Sequence, residues 1–417
     1  MREASRRASR QRDPGRRDLL DIAIVGAGVV GAAAALALAR DGWQVALVEA
    51  RQPSPWSLDA PDLRVYAFAP DNAALLDDLG VWDAVRTARV QPYRGMRVWD
   101  AAGGDELRFD ADAFGRRELG WIVEHGLLVD RLWAALPAAG VRVLCPEQVV
   151  ALEQDADHAT LELDSGARLR ARLVLAADGG DSKLRSLVGI ETYTHDYGQN
   201  GLVAFVDHER PHAATCWQRF LPTGPLAFLP FTRTEAGEDG HRSSIVWTLP
   251  EAEATRLLHA DEACFLRELD AAFAGTLGAL TAVSKRAAFP LRRQLAQRYA
   301  EGRVAVIGDA AHVVHPLAGQ GVNLGLRDVA ALRALLRKPR TQGRDTAKQD
   351  PGASAPLARW ARERRSENAM AAYSFDGLNR LFSNDDLITT LARGPLLGLV
   401  GKLPPLRHAL WKHAAGL

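Results

Sequence analysis

The stretch Asp21-Ile22-Ala23-Ile24-Val25-Gly26-Ala27-Gly28-Val29-Val30-Gly31 decides the fold of this chain. Its apolar first half predicts a short buried strand, and the helix-forming run Ala32–Arg40 and a second strand at Gln44–Glu49 follow. This is a βαβ unit with G-x-G-x-x-G at its first turn and an acid at the end of its second strand. In such units a pyrophosphate approaches the helix N-terminus, and the terminal acid accepts hydrogen bonds from ribose hydroxyls. The pattern therefore predicts a nucleotide cofactor held by Gly26, Gly28, Gly31 and Glu49, against the alternative of a Gly-rich helix start without a ligand.

A second Gly-rich segment, Gly308–Asp328, follows the apolar run Arg303–Ile307 and leads into helical spacing over Leu324–Leu336. Asp309 then stands at the carboxyl end of a predicted buried strand, which is where open α/β sheets bind ligands. Gly319-Gln320-Gly321 would open the helix with backbone N–H groups and a positive dipole end. We expect this segment to bind a polar ligand that needs one carboxylate partner and several backbone donors.

A third strand end also carries an acid, because the apolar run Arg172–Ala177 is followed by Asp178 and Gly179. Asp178 is a candidate ligand by the same reasoning, and an ordinary turn residue is the alternative. Asp309, His312 and His315 are spaced three apart, which could suit a metal. No H-E-x-x-H or paired-cysteine spacing accompanies them, so no metal is expected.

Bulk properties are those of an ordinary globular protein. The chain has 417 residues, 47% hydrophobic residues and a formal net charge of +1, which gives no reason to expect nucleic acid as a partner. Its 3 cysteines are widely spaced and form no CxxC pair, which favours a reducing compartment over a disulfide framework. No apolar run is long enough for a transmembrane helix, so a cytoplasmic location is expected.

Taken in order, the three motifs resemble those of the FAD-dependent aromatic hydroxylases, the single-component (class A) flavoprotein monooxygenases. The segment His315–Asn323 is similar to the signature of the ubiquinone-biosynthesis hydroxylases within that class. Further matching segments are Asp62–Val65, Leu79–Trp82, Ile122–Glu124, Trp217–Pro230 and Phe289–Leu291. The resemblance implies FAD as cofactor, NAD(P)H as reductant, O₂ as co-substrate, and an oxygen-donating flavin C4a-hydroperoxide. It implies a polyprenylated phenol as substrate, hydroxylated at ring position C5 rather than C6 or C1.

The resemblance also implies roles by position. Gly26, Gly28, Gly31 and Glu49 would hold the ADP half of FAD, and Arg64 would lie near the flavin and the nicotinamide approach. Asp178 and Gly179 would serve FAD and NAD(P)H, and Gly308-Asp309 would bind the ribityl chain. The remaining expected positions are the flavin-ring loop Gly319, Gln320, Gly321, Val322 and Asn323, and the substrate-side residues His315 and Pro316. No side chain is expected to act as a separate catalytic group, because the flavin performs the chemistry.

The predicted fold class is α/β: a Rossmann-like FAD-binding domain interleaved with an antiparallel-sheet substrate-binding domain, followed by C-terminal helices. The first domain is expected at 19–85, 121–190 and 291–385, and the second at 86–120 and 191–290. Residues 66–90 and 127–139 are expected to be helical, with another helix at 261–274.

Three segments are expected to lie outside these domains. Residues 1–18 form a basic tail, expected to be disordered, and 338–356 form a polar, flexible loop. Residues 386–417 read as basic amphipathic helices, because from Leu387 onward they contain no acid. Such a tail favours peripheral contact with the inner face of a membrane or with other ubiquinone-biosynthesis proteins, and a terminal helix packed on the body is the alternative.

The chain departs from the family pattern at Tyr66, His125, Val313 and the run Gly180-Asp181-Ser182. Alternatives remain open: a hydroxylase of another phenolic or aromatic molecule, or a non-catalytic assembly subunit of a quinone-biosynthetic complex. A flavin halogenase would need W-x-W-x-I-P, which is absent. A plain NAD-dependent dehydrogenase would explain the first motif but neither Asp178 nor Asp309.

Overall fold

The structure is a computed structural model that describes residues 19–232, 240–315, 321–337 and 350–382. Several predictions fall outside these residues: the basic tail 1–18, the C-terminal helices 386–417, residues 338–349 of the predicted loop, and Pro316, Gly319 and Gln320. The rest of that loop lies at 350–356, where a turn leads into a helix that begins at Ser354, so its last three residues are helical.

The described strands are, in chain order, β1 (Leu19–Val25), β2 (Val45–Val48), β3 (Val65–Phe68), β4 (Gln91–Tyr93), β5 (Gly95–Asp100), β6 (Leu107–Asp110), β7 (Gly120–Glu124), β8 (Arg142–Leu144), β9 (Val149–Gln154), β10 (Ala159–Leu163), β11 (Arg168–Ala176), β12 (Thr192–His208), β13 (Thr215–Leu221), β14 (Gly224–Phe231), β15 (Arg242–Pro250), β16 (Leu280–Val283), β17 (Ala287–Ala296), β18 (Ala300–Glu301), β19 (Val304–Val306) and β20 (His312–Val313). The described α-helices are α1 (Val29–Arg40), α2 (Pro70–Asp78), α3 (Trp82–Ala88), α4 (His125–Ala135), α5 (Lys183–Leu187), α6 (Glu251–His259), α7 (Glu262–Phe273), α8 (Gly321–Leu336) and α9 (Ser354–Phe382).

The first sheet is built around parallel strands in the order β18-β19-β11-β1-β2-β8. Pairs β19–β11, β11–β1, β1–β2 and β2–β8 are all parallel, so their carboxyl ends meet at one edge. Strands β9 and β10 extend β11 as an antiparallel ribbon. The strand order places the ends of β1, β11 and β19 side by side, which brings the three predicted motifs together.

Helix α1 lies in the interior of this layer, because its residues are small enough for close packing. Ala32 to Ala35 have no solvent exposure, and α4 and α8 contact the same helix. A helix that is apolar on all sides is stable only when it is covered on all sides. The Ala/Leu composition thus explains why α1 is buried next to the carboxyl edge of the parallel sheet rather than exposed on the surface.

The second sheet is largely antiparallel, with the order β20-β17-β12-β15-β14-β13-β5-β6, and β16 pairs with β12. A core of large side chains covers one of its faces, where α6 and α7 pack. β17 continues to Ala296 and β20 adds His312 and Val313, so this sheet extends beyond residue 290. A third, three-stranded sheet, β3-β7-β4, lies beside it.

The mixed α/β class with interleaved parallel and antiparallel sheets is confirmed. The predicted helix at 66–90 was wrong at its start, because residues 65–68 form β3 and two helices follow, separated by Leu79–Val81. A four-residue strand leaves too short a pattern to be separated from an adjoining helix. Among the described residues, no helix combines the length and apolar character that a membrane span requires.

Candidate functional site

A cavity of about 800 Å³ lies between the carboxyl edge of the parallel sheet and the antiparallel sheet. Its first side is formed by Gly28–Val30, Asp309 and Gly321–Val322. Its opposite side includes apolar residues of the antiparallel sheet, such as Val246 and Phe289. The cavity therefore joins a polar, backbone-rich end to an apolar end, which is the arrangement of most small-molecule sites.

The three motif glycines serve two different purposes. A Cβ at Gly26, where φ is +95°, would lie 2.3 Å from the Ala177 carbonyl oxygen, and one at Gly31 would lie 1.9 Å from the Gly26 carbonyl oxygen. Both positions thus need glycine for packing within the protein. A Cβ at Gly28 would meet nothing within 4 Å, although Gly28 lines the cavity and caps α1. That open backbone at a helix N-terminus fits a phosphate group.

Glu49 is held beside this turn by the backbone. Its Oε2 accepts a hydrogen bond from Ala27 N at 2.7 Å, and its Oε1 accepts one from Arg51 N at 3.1 Å. Each carboxylate oxygen can accept a further bond. The structure thus brings Glu49 to the glycine turn, as the βαβ pattern predicts.

Asp309 projects into the cavity from a tight turn after β19. The turn is fixed from behind, because Gly308 N donates to Asp328 Oδ2 at 3.1 Å and an Arg185 guanidinium nitrogen donates to the Ala310 carbonyl at 2.9 Å. The Asp309 side chain itself is 44% exposed, and among the described residues it pairs with Arg64 at 3.9 Å. An ion pair this long and exposed contributes little, so Asp309 is available to a ligand.

Asp178 differs from Asp309, because its carboxylate is used within the protein. Ser182 Oγ donates to Asp178 Oδ1 at 2.5 Å, and Leu184 N donates to Oδ2 at 3.2 Å. Neighbouring Gly179 does line the cavity, with φ of +88° and nothing within 4 Å of a Cβ. The structure therefore places Gly179 at the site and Asp178 behind it.

Arg64 lies on one wall of the cavity with two residues that the motifs did not predict, Tyr66 and His125. The Tyr66 hydroxyl and His125 Nδ1 are 2.9 Å apart, and the Arg64 guanidinium carbon lies 5.5 Å from the Tyr66 ring centroid. Burial and then the Arg64 cation lower the pKa of His125 to about 4, and burial raises the pKa of Tyr66. Both are therefore neutral near pH 7. The sequence marked them only as departures, since β3–β7 pairing alone brings them together.

The Arg64 wall is supported by a buried ion pair that sequence reasoning also missed. Arg89 donates to both oxygens of Glu124 at 2.7 and 2.9 Å. Glu124 Oε1 accepts from Asp62 N at 2.8 Å, and Asp62 Oδ1 accepts from Arg64 N at 2.9 Å. This chain of bonds fixes the backbone that presents Arg64. No short-range sequence signal could reveal it, because Glu124 lies 62 residues from Asp62.

The N-terminus of α8 faces the cavity through Gly321 and Val322. Asn323 is fully buried: Ala69 N donates to its Oδ1 at 3.0 Å, and its Nδ2 donates to the Ala67 carbonyl at 2.8 Å. Its side chain therefore attaches α8 to the end of β3. The predicted role of this segment, backbone donors and a positive dipole end facing a ligand, fits the position of the helix.

His315 borders the cavity but is only 1% exposed. Its ring lies 5.0 Å from the Tyr197 ring, and among the described residues neither of its nitrogens has a hydrogen-bond partner. Burial lowers the pKa of His315 to about 4, so the ring is neutral. In the described part of the chain, no group of His, Cys, Asp and Glu has the arrangement of a metal site. His312 instead donates to Asp328 at 2.6 Å.

Comparison with known proteins identifies the family. Residues 20–349 match the family model described as FAD binding domain. The chain is 38% identical to ubiquinone hydroxylase UbiL of Rhodospirillum rubrum over 95% of this chain and 89% of the relative. It is 36% identical to 3-demethoxyubiquinol 3-hydroxylase of Escherichia coli K12, over 95% and 98%. The chain belongs to the ubiquinone-biosynthesis hydroxylase family.

Solved structures agree on the fold of this family member. A p-nitrophenol 4-monooxygenase, PnpA of Pseudomonas putida DLL-E4, superposes with a TM-score of 0.74 at 18% identity, covering 95% of this chain and 99% of that one. PqsL of Pseudomonas aeruginosa, a probable FAD-dependent monooxygenase, gives 0.72 at 24% identity, covering 91% and 99%. At these identities the likeness shows the fold alone.

Family membership makes this hydroxylase an FAD-dependent monooxygenase. The described residues fit FAD on geometric grounds. Gly28 leaves backbone open for a pyrophosphate, Glu49 stands beside it, and Asp309 is exposed on the cavity wall. The cofactor predicted from the three motifs is confirmed, whereas the individual contacts remain predictions.

Proposed function

We propose that this flavoprotein hydroxylates the aromatic ring of a polyprenylated phenol in ubiquinone biosynthesis, with NAD(P)H as reductant and O₂ as oxygen source. One observation supports the choice of substrate. The cavity runs from the polar carboxyl edge of the parallel sheet to apolar residues of the antiparallel sheet. A phenol with a hydrocarbon tail needs both environments. The names of the UbiL and E. coli relatives point to the same class of substrate.

For the cofactor, we propose that Gly26, Gly28, Gly31 and Glu49 serve the ADP half of FAD. Gly308 and Asp309 would bind the ribityl chain. Gly179 would contact FAD and NAD(P)H, and Asp178 would support Gly179 from behind. The segment 319–323 would offer backbone donors to the flavin ring, and Arg64 would lie near the nicotinamide approach. His315 and Pro316 would lie on the substrate side of the ring.

These residues contribute binding, orientation and charge, whereas flavin supplies the redox chemistry with oxygen. A helix N-terminus stabilises the negative charge of a reduced ring without a titratable proton. Arg64 adds a fixed positive charge, and Tyr66 and His125 add neutral polar groups. Buried apolar residues of the cavity such as Leu229 and Leu291 would keep water away from the bound flavin.

Ring position is proposed as C5, with C6 and C1 as the competing positions. Expression in strains that each lack one ring hydroxylase, followed by identification of accumulated quinone intermediates, tests this directly. Rescue of the C5-deficient strain alone is expected. The name of the E. coli relative specifies a 3-hydroxylase of demethoxyubiquinol, so rescue of the strain lacking that step would reassign the position.

A non-catalytic assembly subunit and a hydroxylase of other phenols are the alternatives. Reconstitution of the purified chain with FAD distinguishes the proposed enzyme from a non-catalytic subunit. A yellow protein with stoichiometric FAD that oxidises NAD(P)H is expected, and failure to retain FAD would contradict the proposal. Comparison of a prenylated phenol with its unprenylated parent separates the second. The proposed enzyme should show a much lower KM for the prenylated compound.

Peripheral association with the inner face of the membrane is proposed for the basic segment 386–417, which lies outside the described residues. Deletion after Gly394 should reduce co-flotation with anionic liposomes while the FAD content stays unchanged. Undiminished flotation would contradict a membrane role for the segment.

A further inference from the structure

Beneath the Gly308–Asp309 turn lies a polar network that never reaches the cavity. Its centre is Asp328 on α8, which has no solvent exposure. Gly308 N and His312 Nε2 donate to Asp328 Oδ2 at 3.1 and 2.6 Å. Arg364 Nε and Asn368 Nδ2 donate to Oδ1, each at 2.9 Å. A carboxylate has about four acceptor positions, so this one is fully used.

The two oxygens of Asp328 bind two different parts of the protein. Oδ2 holds the turn that presents Asp309, and Oδ1 holds helix α9. The α9 side is itself cross-linked, because Arg364 donates to Asn368 Oδ1 at 2.9 Å and also pairs with Glu367. Asp328 therefore transmits the position of α9 to the turn through one rigid group.

Close packing leaves the turn little freedom to move independently of α8. A Cβ at Gly325 would lie 2.6 Å from a Val30 methyl and 3.1 Å from Gly308 Cα. Helix α8 thus meets the turn with no side chain between Gly325 and Gly308, and the Val30 side chain of α1 packs against both glycines. By contrast, none of the residues described in α9 lines the cavity.

We propose that Asp328 is a positioning residue for FAD, and that α9 sets cofactor affinity from outside the cavity through Arg364 and Asn368. The inference rests on the proposed function, because it takes the Gly308–Asp309 turn as part of the FAD site. Asp328 touches neither cofactor nor substrate. Its effect is to fix the backbone from which Asp309 projects.

The chemistry of an amide explains why Asp328→Asn is the decisive substitution. Asparagine has the same shape, but it offers an acceptor on one side only. If its oxygen faces Arg364, its NH₂ group opposes the Gly308 N–H and displaces the turn. If its oxygen faces Gly308, its NH₂ group opposes the buried Arg364 cation, which is the costlier arrangement. The first arrangement is expected, so the turn moves.

The test is the dissociation constant of FAD for the full-length apoprotein, measured by flavin fluorescence, beside the unfolding free energy of each apoprotein. Asp207→Asn is the matched control, because Asp207 forms a bidentate, largely buried pair with Arg242 in the antiparallel sheet. Asp328→Asn should raise the dissociation constant by about tenfold or more, and Asp207→Asn by less than about twofold. The visible circular dichroism of bound flavin should change only for Asp328→Asn. An Asp328→Asn protein that is destabilised like the control but binds FAD normally, with an unchanged flavin signal, would overturn the proposal.

Helix α9 is tested by Arg364→Gln and by its combination with Asp328→Asn. Because Arg364 acts on FAD only through Asp328, it should weaken binding in the wild type and add little in the double variant. Additive losses would contradict that route. If Asp328→Asn does not fold, Asn368→Ala removes one donor to Asp328 and one acceptor of Arg364. It should raise the dissociation constant about threefold, and unchanged binding would overturn the inference. Should Asp309→Ala weaken FAD while these variants do not, the inference fails and the proposed cofactor site stands. A wild-type chain that retains no FAD would instead refute the proposed function.

Discussion

Two acids follow neighbouring parallel strands, and the structure uses them in opposite ways. Asp178 comes after β11 and Asp309 after β19, strands that pair directly in the sheet. Asp309 is 44% exposed on the cavity wall, whereas Asp178 accepts hydrogen bonds from Ser182 and Leu184 at the start of α5. Position at a strand end thus brings a carboxylate to the ligand edge, but the next few residues decide whether it remains free for a ligand.

The difference has a local cause. Ser182 caps α5 by accepting from Arg185 N at 3.0 Å, and its hydroxyl proton then needs an acceptor, which Asp178 supplies. Asp309 instead lies within a 3₁₀ turn, Gly308–Ala310, whose backbone is held by Arg185 and Asp328, and its carboxylate does not cap a helix. The same contrast between groups facing a ligand and groups facing the protein can be tested at several positions.

The largest effect is expected at the motif glycines. Gly26→Ala places a Cβ 2.3 Å from a carbonyl oxygen at a φ of +95°, and it should lower the unfolding free energy of the apoprotein by about 3 kcal/mol. Gly28→Ala adds its methyl to open space and should leave that free energy within about 0.5 kcal/mol. It should weaken FAD about tenfold, because the methyl occupies the pyrophosphate approach. Denaturant unfolding and FAD titration of both variants measure the two quantities. A Gly26→Ala protein of normal stability, or a destabilised Gly28→Ala protein that binds FAD normally, would contradict the comparison.

A smaller effect is expected at Asp178. Asp178→Asn should lower the unfolding free energy by about 1–2 kcal/mol, because Ser182 and Leu184 lose a charged acceptor. FAD affinity should change by less than about threefold, through a slight shift of Gly179. Urea denaturation and fluorescence titration measure the two quantities. A large loss of FAD with unchanged stability would mean that Asp178 itself faces the cofactor.

Acid sensitivity offers a third contrast, between His125 in the cavity and His212 in the buried connection between β12 and β13. Burial, in each case the largest cause, lowers the pKa of each to about 4. The unfolded chain then binds more protons between pH 4 and about 6.5, so stability falls as pH decreases through that window. His212→Gln should remove about 1 kcal/mol of this loss at pH 5.5 without changing FAD affinity.

The matched variant His125→Gln should reduce the acid loss similarly and also alter FAD affinity at pH 7, because His125 lines the cavity. Equal FAD affinity for the two variants would show that His125 does not contribute to the FAD site. Unfolding curves at pH 7 and pH 5.5 that shift identically for wild type and both variants would contradict the assigned pKa directions.

The smallest effect is expected from Tyr66→Phe. It keeps the ring beneath Arg64 and removes only the hydroxyl bonded to His125, so apoprotein stability should fall by about 1 kcal/mol. FAD affinity should change less than in His125→Gln. Isothermal titration with FAD compares the affinities of the two variants. A larger loss of affinity for Tyr66→Phe would indicate that the Tyr66 hydroxyl, rather than the His125 imidazole, contacts the ligand.

Local sequence was sufficient wherever a motif and its structural context are adjacent. The glycine turn with Glu49, the strand before Asp309 and the start of α8 were all predicted, because each depends on a few consecutive residues. Tyr66 with His125 and Asp328 with Arg364 were not, because each pair meets only through strand pairing or helix packing. The free state of Asp309 and the engaged state of Asp178 likewise depend on side-chain bonds that a strand-end rule does not contain.

The most direct test is FAD binding by Asp309→Asn beside Asp178→Asn, with the unfolding free energies of both apoproteins. Asp309→Asn should weaken FAD at least about tenfold while its apoprotein is as stable as the wild type. Asp178→Asn should show the reverse. FAD affinity that survives intact in Asp309→Asn would contradict the assignment of the Gly308–Asp309 turn to the cofactor.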